Sequence, residues 1–324
     1  MTKFYDFFSM LLAYVFRPFY HFISGLGIPG NYILSIVIFS ILLRLVLMPS
    51  TIKQQNGMAK QARLQPKVNR IREKYKNYTG ADKNQLIQQD TQALYQREGF
   101  SATAGGCLPL LIQLPILTGL YGIIRKPLEY ILQIDSATIQ AMKEPIKQIF
   151  EESKGAVSYE QLYIIKNFGT IKQAMELPAD IVSKIESLDF EILGINLGDI
   201  PKDISAGTVS KLIVLIPILA FISSALTGLV SIIRQKKTNP DAANMQMAGC
   251  TVLGMPLFSL FLTISFPAGM GVYWIISNLF AFFQTLIVGK THSNGKVIAR
   301  MMVEETFVSR HEEESWKKVK QRNN

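Results

Sequence analysis

Seven residues, most of them polar, stand inside runs of sequence that are otherwise apolar, and their chemistry is that of binding. Arg44 interrupts "SIVIFSILLRLVLMPS", residues 35–50, and Gln113 sits between Pro109 and Pro115 in "CLPLLIQLPIL". Ser224, Thr227 and Ser231 recur at i, i+3 and i+7, which draws one polar stripe down a helix. Trp274 and Asn278 are one helical turn apart, with Tyr273, Ser277 and Gln284 on the same segment. A guanidinium stays charged at any working pH, so it attracts acidic or polar peptide and does not cycle protons. In hydrocarbon it costs about 2.5–3.5 kcal/mol even on lenient insertion scales. Two accounts of Arg44 stay open. Its long side chain could snorkel the roughly 7.5 Å of helix to Pro49, or it could face a wet cavity lined by the other polar residues. Serine, threonine and asparagine in such a setting also serve as glue between helices.

Stepping out to the elements, the chain has 324 residues, 48% hydrophobic and 18% charged. That is more apolar and less charged than a soluble domain. The apolar residues cluster into five segments, 31–49, 107–132, 211–233, 249–266 and 267–289, each near the ~20 residues that cross a bilayer as a helix. A buried soluble core could explain one such run, but hardly five. The expected fold is an all-α integral membrane protein with five transmembrane helices. In 1–30, Phe4, Phe7, Phe8, Leu11, Leu12, Val15, Phe19, Phe22 and Ile23 repeat at helical spacing, and Asp6, Arg17 and His21 break any signal-peptide pattern. This predicts an N-terminal amphipathic interfacial helix, a sixth span being the alternative. In 50–106, Leu64, Val68, Ile71, Tyr75 and Tyr78 form a coiled-coil-like stripe, "TGADK" breaks it, and Leu86, Ile87, Ala93 and Leu94 mark a second helix. The pattern predicts a helical hairpin.

Charge orients these pieces. Net charge is +10; 50–106 holds ten Lys and Arg against four acids, 234–248 three against one, and 290–324 eight against five. The 133–210 segment reverses the balance, with seven Lys and twelve acids. Cation bias puts the first three inside, making 50–106 a cytoplasmic hairpin, 234–248 a cytoplasmic loop and 290–324 a basic cytoplasmic tail. The acidic segment is then an extracytoplasmic insertion, read as a small helical cap with helices near 137–152 and 179–188 and a strand-like "FEILGINL". Five spans place the N-terminus outside. The basic inner segments suit anionic lipid or ribosomal RNA equally.

Several functions find no residues to carry them. Cys107 and Cys250 lie at span edges, so no disulfide framework is expected, and His21, His292 and His311 are scattered, so no metal site is expected either. "VGKT" at 288–291 has Gln284 where a P-loop needs its first glycine, and "NYT" at Asn77 matches a glycosylation pattern by chance. No cofactor is implied, and without metal ligands, a Ser/His pair or paired aspartates no enzyme is expected. A small-solute channel or transporter, with the polar stripe as its path, is the alternative function, although no internal repeat supports it.

The longer motifs carry a resemblance. "LQPKVNRIREKYK" followed by "GGCLPLLIQLPIL", and later "FPAGMGVYWIISNLFAFFQ", resemble the YidC/Oxa/Alb membrane protein insertases, most closely the bacterial YidC branch, in order over about 32–126 and 213–289. The family's lone groove arginine falls on Arg44, its second-span polar partner on Gln113 and its fifth-span tryptophan on Trp274. The resemblance implies a lipid-facing groove, open to the cytoplasm and closed outside, in a multi-pass protein of the bacterial plasma membrane. It implies nascent membrane proteins as clients, the ribosome and the Sec translocon as further partners, and no DNA. The chain departs from the family at Thr227, where relatives often carry glutamine, in "GFSATAGG", which lacks a common proline, and in its long 133–210 insertion.

Overall fold

The computed structural model of the chain describes residues 2–99, 108–148, 159–207, 209–238, 253–291, 295–300, 302–303, 306–307 and 310. It is mostly helical and divides into two compact units, one of Met1–Val46, Leu110–Leu229 and Gly249–Phe282, the other of Leu47–Pro109, Val230–Ala248 and Phe283–Asn324.

The first unit begins with α1 (Thr2–Gly25) and α2 (Asn31–Val46). Ser9, Ala13, Phe16, Tyr20 and Ile23, at alternating steps of four and three, form the buried face of α1. Phe16 meets Phe39 of α2 edge to face at 5.3 Å. Against α5 (Leu108–Arg125) the approach is closer still. A Cβ on Gly122 would overlap Ser9 Oγ, and one on Gly119 would come within 2.5 Å of Leu12 Cδ1, so glycine is what lets the helices touch. Where an amphipathic helix in an interface turns its polar side to water, α1 turns polar groups inward. Arg17 Nε donates to the Tyr130 carbonyl at 2.5 Å, and Tyr130 Oη donates to Asp6 at 3.0 Å. The outward positions are Phe4, Phe7, Met10, Leu11, Tyr14 and Phe22, all exposed. The surface α1 offers its surroundings is therefore largely apolar, with His21 exposed beside Phe22.

The long segment after α5 folds onto the same core. It contains α6 (Pro127–Tyr130), α7 (Ser136–Ala141), α8 (Glu160–Lys166), α9 (Phe168–Ala174), α10 (Ala179–Glu186) and an antiparallel pair, β1 (Glu191–Ile192) and β2 (Ile195–Asn196). Asp135 caps α7 by accepting from Thr138 N at 2.9 Å. The stretch fastens three helix ends. Tyr20 Oη lies 3.2 Å from the Ser187 carbonyl, Gly30 N donates to Asp189 at 2.7 Å, and Asn31 Nδ2 donates to the Ser187 carbonyl at 2.8 Å. Ala268 N and Gly269 N, at the start of α13 (Ala268–Thr291), donate to the carbonyls of Asp199 and Leu197 at 2.8 and 2.9 Å. These N–H groups have no partner within their own helices, so carbonyls supplied from outside satisfy them.

α11 (Leu215–Thr238) and α12 (Met255–Ser265) complete the helical set. Among the described residues two segments, Lys211–Ile233 and Ala268–Val288, are long and apolar enough to cross a membrane. Asn31–Val46 reaches that standard only when joined to α3 (Met48–Lys74), and α12 is apolar but has 11 residues. Among the described residues there are thus two such helices, or three if the bent pair is one span. Pro256 lies in the first turn of α12, and α5 continues through Pro115. Residues 249–252 of the expected fourth span lie outside the described residues.

In the second unit α3 pairs with α4 (Lys83–Arg97). Leu64, Val68 and Leu94 are buried. Lys67 joins Glu98 at 2.5 Å, Lys74 joins Asp90 at 3.1 Å, and Tyr75 Oη donates to the same Asp90 at 2.9 Å. Hydrogen bonds from Lys74 and Tyr75 hold the Asp90 carboxyl below its ordinary range, Lys67 does the same for Glu98, and the Asp90 contact raises Lys74.

Candidate polar site of the first unit

Gln113 of the second apolar run and Tyr273 of the fifth come together. Arg44 stands in the last turn of α2, half-buried, with no hydrogen bond or ion pair to any of the described residues. Tyr273, in the second turn of α13, is 2% exposed and is the phenol electrostatically coupled to Arg44. Gln113 Nε2 of α5 donates to Tyr273 Oη at 2.8 Å. Gln113 of α5 is thus bonded to Tyr273 of α13, and two helices distant in sequence meet there. Trp274 is half-buried and packs on the apolar core of the unit. A cation with five N–H donors, none taken up by the described protein groups, can accept carboxylates, peptide carbonyls or water.

The α11 stripe serves a different end. Thr227 Oγ1 donates to the Asn278 carbonyl at 3.1 Å and to the Ser223 carbonyl at 2.9 Å, and Asn278 Nδ2 donates to Ser223 Oγ at 3.2 Å. Ser223, 4% exposed, takes part in the seam between α11 and α13. Its neighbour Ser224 is half-buried beside it and takes no part in those bonds. Thr227 and Asn278 therefore join helix to helix. Ser231 lies further along α11, in the second unit. Ser277 Oγ and Ser259 Oγ are buried without a hydrogen-bond partner among the described residues. No group of three His, Cys, Asp or Glu suited to a metal occurs among the described residues.

Fold and site together define a helical membrane protein in which a buried phenol accepts from an amide of a second helix. The family model described as 60Kd inner membrane protein matches residues 24–295, and the chain belongs to that family, the YidC/Oxa/Alb group. It is 28% identical to Membrane protein insertase YidC 2 of Listeria innocua over 82% of this chain and 66% of that protein. It is 26% identical to Membrane protein insertase MisCB of Bacillus subtilis over 89% of this chain and 83% of the relative. A Fusobacterium nucleatum relative named Membrane protein insertase YidC is 44% identical over 96 residues, 30% of this chain and 44% of the relative. The match thus spans just under two thirds of the Listeria protein's length.

Proposed function

We propose that the protein is a membrane protein insertase that receives polar segments of nascent membrane proteins at Arg44 and releases their apolar spans into lipid. The observation that carries this is the half-buried guanidinium with no protein partner among the described residues. An isolated intramembrane cation is costly unless water or a ligand solvates it. The names of its relatives supply the class of client. Arg44, Gln113 and Trp274 meet the client, Ser224 extends the polar path, and Thr227 and Asn278 hold its wall together. No chemical bond is made or broken, so the protein is not an enzyme. The polar tail crosses a short hydrated stretch, and burial of the following apolar span drives release. The membrane potential adds about 2.3 kcal/mol per acidic charge at 100 mV. Five spans, an outside N-terminus, and a cytoplasmic hairpin and tail that meet ribosome, translocon or anionic lipid complete the reading.

The test is insertion of one single-span client, with an acidic or a neutral tail, into proteoliposomes. Arg44→Lys should keep most activity. Arg44→Ala and Arg44→Glu should slow the acidic client on the order of tenfold, which is ~1.4 kcal/mol of barrier, and the neutral one less. Equal insertion by all three variants for both tails overturns the electrostatic role. Solute flux without client insertion would favour a channel.

A further inference from the structure

The turn between β1 and β2 is Leu193-Gly194, with φ of 50° and 75°. Positive φ at both central residues is the type I′ hairpin, which favours Asn-Gly or Asp-Gly. Leucine in the left-handed region is an outlier, and such strain persists where the surroundings fix it. Leu193 is also 86% exposed, more than any other large hydrophobic side chain among the described residues. No packing among the described residues accounts for leucine there.

The base of the hairpin is rigid and its position is set. Phe190, 4% exposed, stacks on the fully buried Tyr32 at 4.2 Å, and Leu197 N donates to the Phe190 carbonyl at 2.9 Å. Asp189 accepts from Gly30 N at the entry to α2. The hairpin is therefore held at the first turn of α2, beside the α1–α2 connection. There Phe22, Leu26 and Ile28 are exposed in turn, continuing the apolar outer surface of α1.

We infer that Leu193 is a membrane anchor, inserted into the lipid leaflet that faces the N-terminal end of α2. The inference rests on the membrane fold and not on the insertase reading. Lipid is the occupant because the hairpin is fixed where a membrane helix begins, next to side chains that already present apolar surface. Glu191 is exposed two residues from the tip and limits insertion to the tip itself, a depth in the range of about 5–10 Å.

The experiment uses the full chain with Cys107 and Cys250 changed to Ser. A polarity-sensitive nitrobenzoxadiazole label goes on Leu193→Cys or, as reference, on Glu186→Cys, in nanodiscs of phosphatidylcholine and phosphatidylglycerol. At 193 the emission should shift to shorter wavelength than at 186, and doxyl-labelled lipid should quench it on the order of twofold. Equal emission at the two sites without quenching overturns the anchor. So does a shift that appears only when another protein is added. Leu193→Asn supplies a second measurement. It suits the turn, so in detergent the variant should unfold at the same temperature as the parent or above it, and a lower temperature would mean that Leu193 packs within the protein, which also overturns the proposal.

Discussion

Tyr273 shows how a site can be half visible. Arg44 and Gln113 announce themselves as lone polar groups in apolar runs, because nothing else explains them there. Tyr273 is one of several polar groups on its segment, but a tyrosine among Val272, Trp274 and Ile275 does not reveal its partner, since its ring suits an apolar setting and only its hydroxyl does the joining. The serines teach the same lesson. Counting i, i+3, i+7 selects Ser224, yet Ser223, one position earlier, faces α13, because adjacent residues differ by only about 100° around a helix and spacing alone does not say which side meets a neighbour. We expect Tyr273→Phe to leave the Gln113 amide without its acceptor, costing about 0.5–1.5 kcal/mol of stability in detergent. The stronger check is functional. If Tyr273 orients Gln113 toward the client, Tyr273→Phe and Gln113→Leu should each slow insertion of the acidic-tailed client, and the double variant should be no slower than the worse single one. Additive losses would show that the two act separately.

Among the elements, those with long periodic patterns were legible and the short ones were not. α3, α4 and α10 lie where periodicity or composition placed them, and the strand-like "FEILGINL" is the β1–β2 pair. The helix expected near 137–152 reduces to α7 and a single tight turn at Glu144–Ile146, with 149–158 outside the described residues. α8 and α9, of seven residues each, were missed. Helices that short are marginal alone, and they stand through burial of Leu162, Ile164, Phe168 and Ile171, a tertiary effect. α1 was legible as a helix, but the partners of Asp6 and Arg17 were not, because both lie more than a hundred residues away. The α3–α4 pair makes a pH prediction. Asp90 and Glu98 have depressed pKa values in the folded state, so their contribution is present above the ordinary carboxylate range and is lost as pH falls through the folded values. Lys74 is raised, so its share is lost only in strong alkali. Spin labels at Arg70 and Gln88, in the full protein in nanodiscs, should report one narrow distance at neutral pH and a broader one in acid. Asp90→Asn should broaden it at neutral pH, and no change in either case would show that the ion pairs do not hold the helices together.

For the whole molecule, family membership was legible from three long motifs. Apolar composition marks lipid exposure but does not say where prolines and breaks end a helix; among the described residues two helices, or three with the bent pair, are long and apolar enough to cross. The proposed topology can be decided directly. Cysteines at Lys83 and Gln173, on a background without Cys107 and Cys250, would be exposed on intact cells to a maleimide that cannot cross the membrane. Position 173 should label and position 83 should label only after lysis; the opposite pattern overturns the proposed orientation.

The bonds that fasten the 187–199 stretch also impose an order in time. Gly30 and Asp189 are 159 residues apart, and the carbonyls of Leu197 and Asp199 wait for amides at 268 and 269. During synthesis the Gly30 amide lacks its Asp189 partner until residue 189 has been made, and the 187–199 stretch is incompletely tied until α13 begins. Loop closure over such separations is slow compared with helix formation. Until both contacts close, the N-terminal ends of α2 and α13 lack the partners that the 187–199 stretch supplies.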